Sequence, residues 1–210
     1  MKPLTEPFIQ IISGFAIVGQ AFLLAMVVLA VTAIFFAPSR RALDWLRVGL
    51  KGSELWIAFV IALLATGGSL FLSEYAGFIP CKLCWYQRYA MYPLVPILLL
   101  AAIFKQRLIT GLAMAVAVAG AGVAAWHRYV EINPSLESQG CKTSGGGGCA
   151  TNWLFGLAPL DYITVPTLAL TAFALIIFFL LLALLPPREQ AEQAGQPGAG
   201  GPQAAAAAGS

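Results

Sequence analysis

Five long stretches of this 210-residue chain carry no charge: Phe8 to Ala37, Leu55 to Leu72, Tyr89 to Phe104, Leu108 to Trp126 and Tyr162 to Pro187. All 12 basic and 9 acidic side chains lie outside them. A bilayer span needs about 20 mostly apolar residues, and only helices or closed barrels satisfy their backbone groups in lipid. Barrel strands alternate over about ten residues, whereas these runs are continuously apolar. They predict an all-α integral membrane protein. The shortest run, Tyr89 to Phe104, reaches spanning length if its helix begins near Cys81. Composition agrees, with 60% apolar and 10% charged residues against roughly 45–50% and about 25% in a soluble domain. A soluble globule, a disordered chain and a disulfide-scaffolded miniprotein are excluded, and a net charge of +3 is too small to suggest nucleic acid.

The first stretch is 30 residues long, with Lys2 ahead of it and Arg40 and Arg41 behind. A secretory h-region runs about 7–15 residues behind a basic segment, so this one is expected to be a retained helix. Lys and Arg in short loops set orientation. Arg40, Arg41, Arg47 and Lys51 cluster before the second span, Lys105 and Arg107 sit between the third and fourth, and Arg188 follows the fifth. These belong inside, so the cysteine-bearing loops face outward. The expected layout is an extra N-terminal span with a basic cytoplasmic linker (1–54), a four-helix transmembrane bundle (55–187) and a Gly, Pro, Gln and Ala-rich disordered tail (188–210).

Chemistry concentrates in four cysteines. Cys81-Lys82-Leu83-Cys84 follows Pro80 at the start of the third span. Unpaired N–H groups at a helix N-terminus stabilise thiolate, the reactive form, and the i, i+3 spacing puts both sulfurs on one face. The same spacing serves zinc. Arg88, four residues past Cys84, lies one turn deeper on that face. It is either an interfacial arginine reaching for the headgroups or a group that adds positive potential beneath a thiolate and donates to a carbonyl oxygen.

Cys141 and Cys149 are separated by seven residues, four of them consecutive glycines. Such a loop closes a static surface disulfide or lets one sulfur swing elsewhere. A staple across so short a loop removes little chain entropy. Trp153 to Leu160 is apolar but too short to span, and is expected in the membrane interface. His127, the sole histidine, sits at the outer end of the fourth span, as an interfacial polar residue or a proton-exchanging one. Glu74, Glu131 and Asp161 read as solvated loop charges. Trp85, Tyr86, Tyr89 and Trp126 read as interfacial anchors or as walls for a flat ring.

Pro80-Cys-x-Leu-Cys-Trp-Tyr-Gln-Arg-Tyr-x-Met-Tyr-Pro93 resembles the signature of the DsbB family of quinone-linked, disulfide-generating membrane proteins, in particular its short-looped BdbC-like branch. The resemblance covers roughly Leu55 to Leu185 and both cysteine pairs. It implies a membrane oxidoreductase of the bacterial inner (cytoplasmic) membrane, acting in disulfide bond formation as a chaperone-like folding aid. Cys81 and Cys84 would be the membrane-proximal redox pair, with Cys84 facing the quinone (ubiquinone or menaquinone). Arg88 and His127 would bind the quinone. Cys141 and Cys149 would be the shuttle pair that reoxidises a DsbA-like thioredoxin-fold partner. The leading span is extra to the family's four helices, and the second pair is closer together than in the long-loop branch. Two rivals remain: a vitamin K epoxide reductase-like enzyme, in which the looser pair precedes the C-x-x-C, and a non-enzymatic membrane protein with a structural Cys₄ zinc site.

Overall fold

A computed structural model describes residues 3–142, 148–154 and 156–185. The tail 188–210, with Arg188, Lys2 and most of the glycine run, lies outside them. The described residues hold helices α1 (Thr5–Phe35), α2 (Ala37–Leu50), α3 (Glu54–Leu70), α4 (Lys82–Phe104), α5 (Arg107–Ile132), the single turn α6 (Gln139–Lys142) and α7 (Val165–Leu184), with no strand among them. Five are long and apolar enough to cross a membrane: α1, α3 with its extension to Tyr75, α4, α5 and α7. The chain is therefore an all-α, multi-pass membrane protein.

The unanticipated element is α2, which occupies the basic segment between the first two spans. Phe36 is extended, with φ −121° and ψ 127°, and Pro38 sits in the first turn of α2, where a missing N–H is harmless. Arg40 turns back so that its Nε and Nη2 donate to the carbonyls of Ala33 and Ile34, at 2.6 and 2.8 Å. These are carbonyls that the end of α1 leaves without helical partners. No residue of α2 is buried, and Trp45 and Val48 are exposed. A helix with one basic and one apolar face, lying at the end of a span, suits the plane of the membrane interface.

The core joins α3, α4, α5 and α7. Ala58 and Ala62 of α3 and Ala113, Ala117 and Ala124 of α5 are fully buried against Leu94, Leu98, Phe173, Ile176 and Leu180. Lipid is as apolar as leucine, so helix association relies on close packing, and small residues permit it. Gly120 is the tightest point: a Cβ there would overlap the Phe173 ring. Pro93 and Pro96 sit within α4, which neighbouring helices tolerate in a bundle. Lys105, in the left-handed region at φ 52°, closes α4 and sends the chain directly into α5.

At the other end of the bundle, α3 widens into a π turn over Phe71–Tyr75, with the Ala76 N–H donating to the Phe71 carbonyl. Such turns recur at functional sites. Glu131 corrects the expectation of a solvated charge. Its side chain is 5% exposed, pairs with Arg128 at 2.6 Å and accepts from the Thr164 hydroxyl at 2.8 Å, tying the end of α5 to the start of α7. The segment after the second cysteine pair is also more buried than expected. Leu154 packs with Ile9 and Leu72, and Trp153 stacks on Phe78 at 5.4 Å. The segment therefore covers the ends of α1 and α3. Phe155 lies outside the described residues.

Candidate functional site

All four cysteines meet at this end of the bundle. Cys81 is the N-cap of α4, and its sulfur accepts from the Cys84 backbone N–H at 3.3 Å. The two sulfurs of the pair are free thiols 3.0 Å apart. Cys141 and Cys149 form a disulfide, with Cα atoms 5.4 Å apart. Cys81, Cys141 and Cys149 are buried together with Val130, and Leu83 and Cys84 pack against them. The four-cysteine zinc set is thus divided here, since two of its members are bonded to each other.

His127 is not an end residue of its span. It lies inside α5, is 3% exposed, and sits between the two cysteine pairs. Its Nδ1 lies 2.9 Å from the Gln87 amide nitrogen, and its Nε2 lies 3.1 Å from the Cys149 carbonyl and 3.5 Å from the Cys81 sulfur. A carbonyl only accepts, so Nε2 carries a proton and Nδ1 accepts from Gln87. One ring N–H is thereby aimed at the backbone of one pair and the sulfur of the other. The Cys84 thiol, followed by the His127 ring, holds the Cys81 thiol well below its ordinary value of 9.0, against the opposing effect of burial.

Arg88 does not snorkel. It is 7% exposed, and its Nε and Nη2 donate to the Ser69 hydroxyl and carbonyl at 3.0 and 2.9 Å. The guanidinium also lies 5.2 Å from the centre of the Trp85 ring, a cation–π contact. Together with Cys84 and Gln87 it lines a cavity of about 560 Å³ bounded by α1, α3, α4 and α7, within the size range of small-molecule sites. Cys81 is not part of that lining. The expected aromatic walls, Trp85, Tyr86, Tyr89 and Trp126, are absent from it too. Phe8, Phe15, Phe78, Tyr92, Trp153 and Phe173 line it instead. The Tyr92 hydroxyl is buried with no partner among the described residues. Buried polar groups are nearly always hydrogen-bonded, so an apolar ligand bearing a carbonyl oxygen, such as a quinone, fits the donors offered by Arg88 and Tyr92.

Three residues that hold this geometry carry no sequence signal of their own. Ser69 anchors Arg88, Gln87 sets the tautomer of His127, and Glu137 accepts from the backbone N–H groups of Cys149 and Ala150. Of the three, only Gln87 lies within the motif, one residue before Arg88.

Fold and site define a helical membrane protein built around two adjacent cysteine pairs and an apolar cavity reaching one of them. Residues 51–187 match the family model described as disulfide bond formation protein DsbB, and the chain belongs to that family. It is 40% identical over 136 residues to disulfide bond formation protein C of Bacillus subtilis (61% of this chain, 90% of the relative). It is 34% identical over 134 residues to a probable disulfide formation protein of Deinococcus radiodurans (62% and 88%). A probable disulfide formation protein of Oceanobacillus iheyensis is 39% identical over 142 residues (67% and 92%). Membership makes this chain a membrane oxidoreductase for disulfide formation. No solved structure matches it.

Proposed function

We propose that the chain is a protein-disulfide:quinone oxidoreductase of the bacterial cytoplasmic membrane, which reoxidises a DsbA-like thioredoxin-fold partner on the extracytoplasmic side and delivers the electrons to ubiquinone or menaquinone. The observation that carries this is the division of the inner pair. Cys81 packs against the Cys141–Cys149 disulfide, and Cys84 lines the apolar cavity beside Arg88. The basic cluster of α2 and the turn after α4 lie at the far ends of the spans from the cysteines, which supports cysteine loops on the outer side.

The exchange balances within the chain. A partner thiolate attacks the Cys141–Cys149 disulfide, and the partner's second thiol resolves the mixed disulfide, leaving both cysteines reduced. With the inner pair oxidised, the Cys149 thiolate attacks the Cys81 sulfur and Cys84 leaves. Cys141 then attacks Cys149, restoring the outer disulfide and releasing Cys81. A good leaving group speeds such a step, and the environment of Cys81 favours its thiolate. His127 holds its Nε2 proton between the exchanging residues. The product of this relay has the outer pair closed and the inner pair reduced. Arg88, fixed by Ser69, would hold a quinone in the cavity, which would supply a two-electron, two-proton acceptor for the inner pair.

Steady-state quinone reduction by a dithiol partner in detergent tests the proposal. Cys84→Ser abolishes it, and Arg88→Ala lowers kcat/KM for quinone about ten- to a hundredfold, the scale of a hydrogen bond to a charged group. Undiminished rates in both variants, or stoichiometric zinc in protein purified without reductant, contradict it.

A further inference from the structure

The helix that the family does not account for reaches the site. α1 precedes the family match, which covers residues 51–187. Yet α1 does not stand apart in lipid. Gln20 joins it to α7 and the loop before α7: its Nε2 donates to the Thr171 hydroxyl at 2.9 Å, and its Oε1 accepts from the Tyr162 hydroxyl at 2.9 Å. Phe22 meets Phe178 edge-on at 5.3 Å. A Cβ at Gly19 would come within 2.9 Å of Leu175, so the two helices approach closely. Nearer its N-terminus, Ile9 is fully buried against Leu72 and Leu154.

Two anchored points fix the face that α1 turns to the bundle. Phe8, Ile11, Ile12 and Phe15, at i, i+3, i+4 and i+7, share one side of the helix, and all four line the cavity that contains Cys84 and Arg88. They do so unequally. Phe8 and Ile12 are half-buried, whereas Ile11 and Phe15 remain 57% and 72% exposed. Residues that belong to a cavity wall and also face outward stand at its mouth, and here the mouth opens toward lipid.

We infer that α1 is a selectivity wall for the quinone: Ile11 and Phe15 grip the prenyl tail where it leaves the cavity for the bilayer, while the ring sits between Arg88 and Cys84. The inference rests on the quinone assignment above and adds to it a determinant outside the family's core. It requires that tail recognition and ring chemistry separate, because different helices carry them. Among the described residues no α1 side chain belongs to the cluster that packs the two cysteine pairs, so thiol exchange at the outer disulfide is independent of it.

The test uses the full-length protein and benzoquinone and naphthoquinone rings, each with and without a prenyl tail. Ile11→Ala and Phe15→Ala raise KM for the tailed quinone about tenfold, as expected for losing one buried apolar side chain. They raise KM for the tail-less ring by much less than for the tailed quinone, and leave single-turnover oxidation of a dithiol in the absence of quinone unchanged. Phe15→Leu recovers most of the loss. Phe35→Ala, at the opposite end of α1 and outside the cavity lining, changes nothing. A wild-type protein that reduces quinones, with the same KM for tailed forms in both alanine variants, overturns the inference and leaves the parent assignment intact. A wild-type protein inert toward all four compounds overturns both.

Discussion

The Cys81 sulfur receives a backbone N–H, the Cys84 thiol and the His127 ring within 3.5 Å, and these contacts favour its thiolate. The thiolate's ultraviolet absorbance in the reduced protein therefore persists as pH is lowered from 9.0. Loss of a donor weakens that preference, so His127→Ala moves the absorbance transition to higher pH; transitions at the ordinary thiol value in both proteins would refute this. Glu137 plays a comparable part for the outer pair. Glu137→Ala leaves the Cys149 and Ala150 N–H groups without their acceptor, at about 1–3 kcal/mol, and hydrogen exchange at those two amides should accelerate roughly tenfold or more. The cysteines, Arg88 and His127 are legible in the chain because their spacing has chemical meaning on a helix. Ser69 and Glu137 are not: Ser69 lies 19 residues from Arg88, and Glu137 lies 12 from Cys149, and nothing local distinguishes a serine or glutamate that will be met by such partners. Glu131 misleads for the same reason, since its burial depends on Thr164, 33 residues away.

Among the elements, every span is visible because soluble helices of this length need charged residues on their wet face, and these stretches have none. Their ends are less so. α5 runs to Ile132 rather than stopping at Trp126, because Arg128 and Glu131 satisfy each other and allow a charged turn to remain helical. α2 is hidden because its charges alternate with apolar residues, a pattern that a count of charged loop residues averages away. Packing within the bundle depends on one contact that sequence leaves anonymous, Gly120 against Phe173. Gly120→Val forces the Phe173 ring from its site and, because that ring also lines the cavity, disturbs the cavity wall as well. The expected loss of stability is about 1–3 kcal/mol, the usual effect of overpacking, read by equilibrium unfolding in mixed detergent; an unchanged midpoint would show that the ring is not confined there.

Across the whole molecule, the five spans separate two kinds of surface. Basic residues gather where α1, α2, α4 and α5 end or begin, and thiol chemistry gathers at the opposite ends, under the cover of Leu154 and Trp153. Between them the cavity links α1 to the family's four helices, and on the proposed function a protein substrate would reach one sulfur pair from water and a lipid-soluble one would reach Cys84 from the bilayer. The central claim is that electrons cross from the outer pair through Cys81 to Cys84 and leave only by way of quinone. The redox state of all four cysteines, followed by alkylation mass shift in membranes after a pulse of dithiol, measures this directly. With quinone present, both pairs return to disulfides; in quinone-depleted membranes the outer disulfide re-forms while Cys81 and Cys84 stay reduced. Reoxidation of Cys81 and Cys84 at the same rate with and without quinone would contradict it.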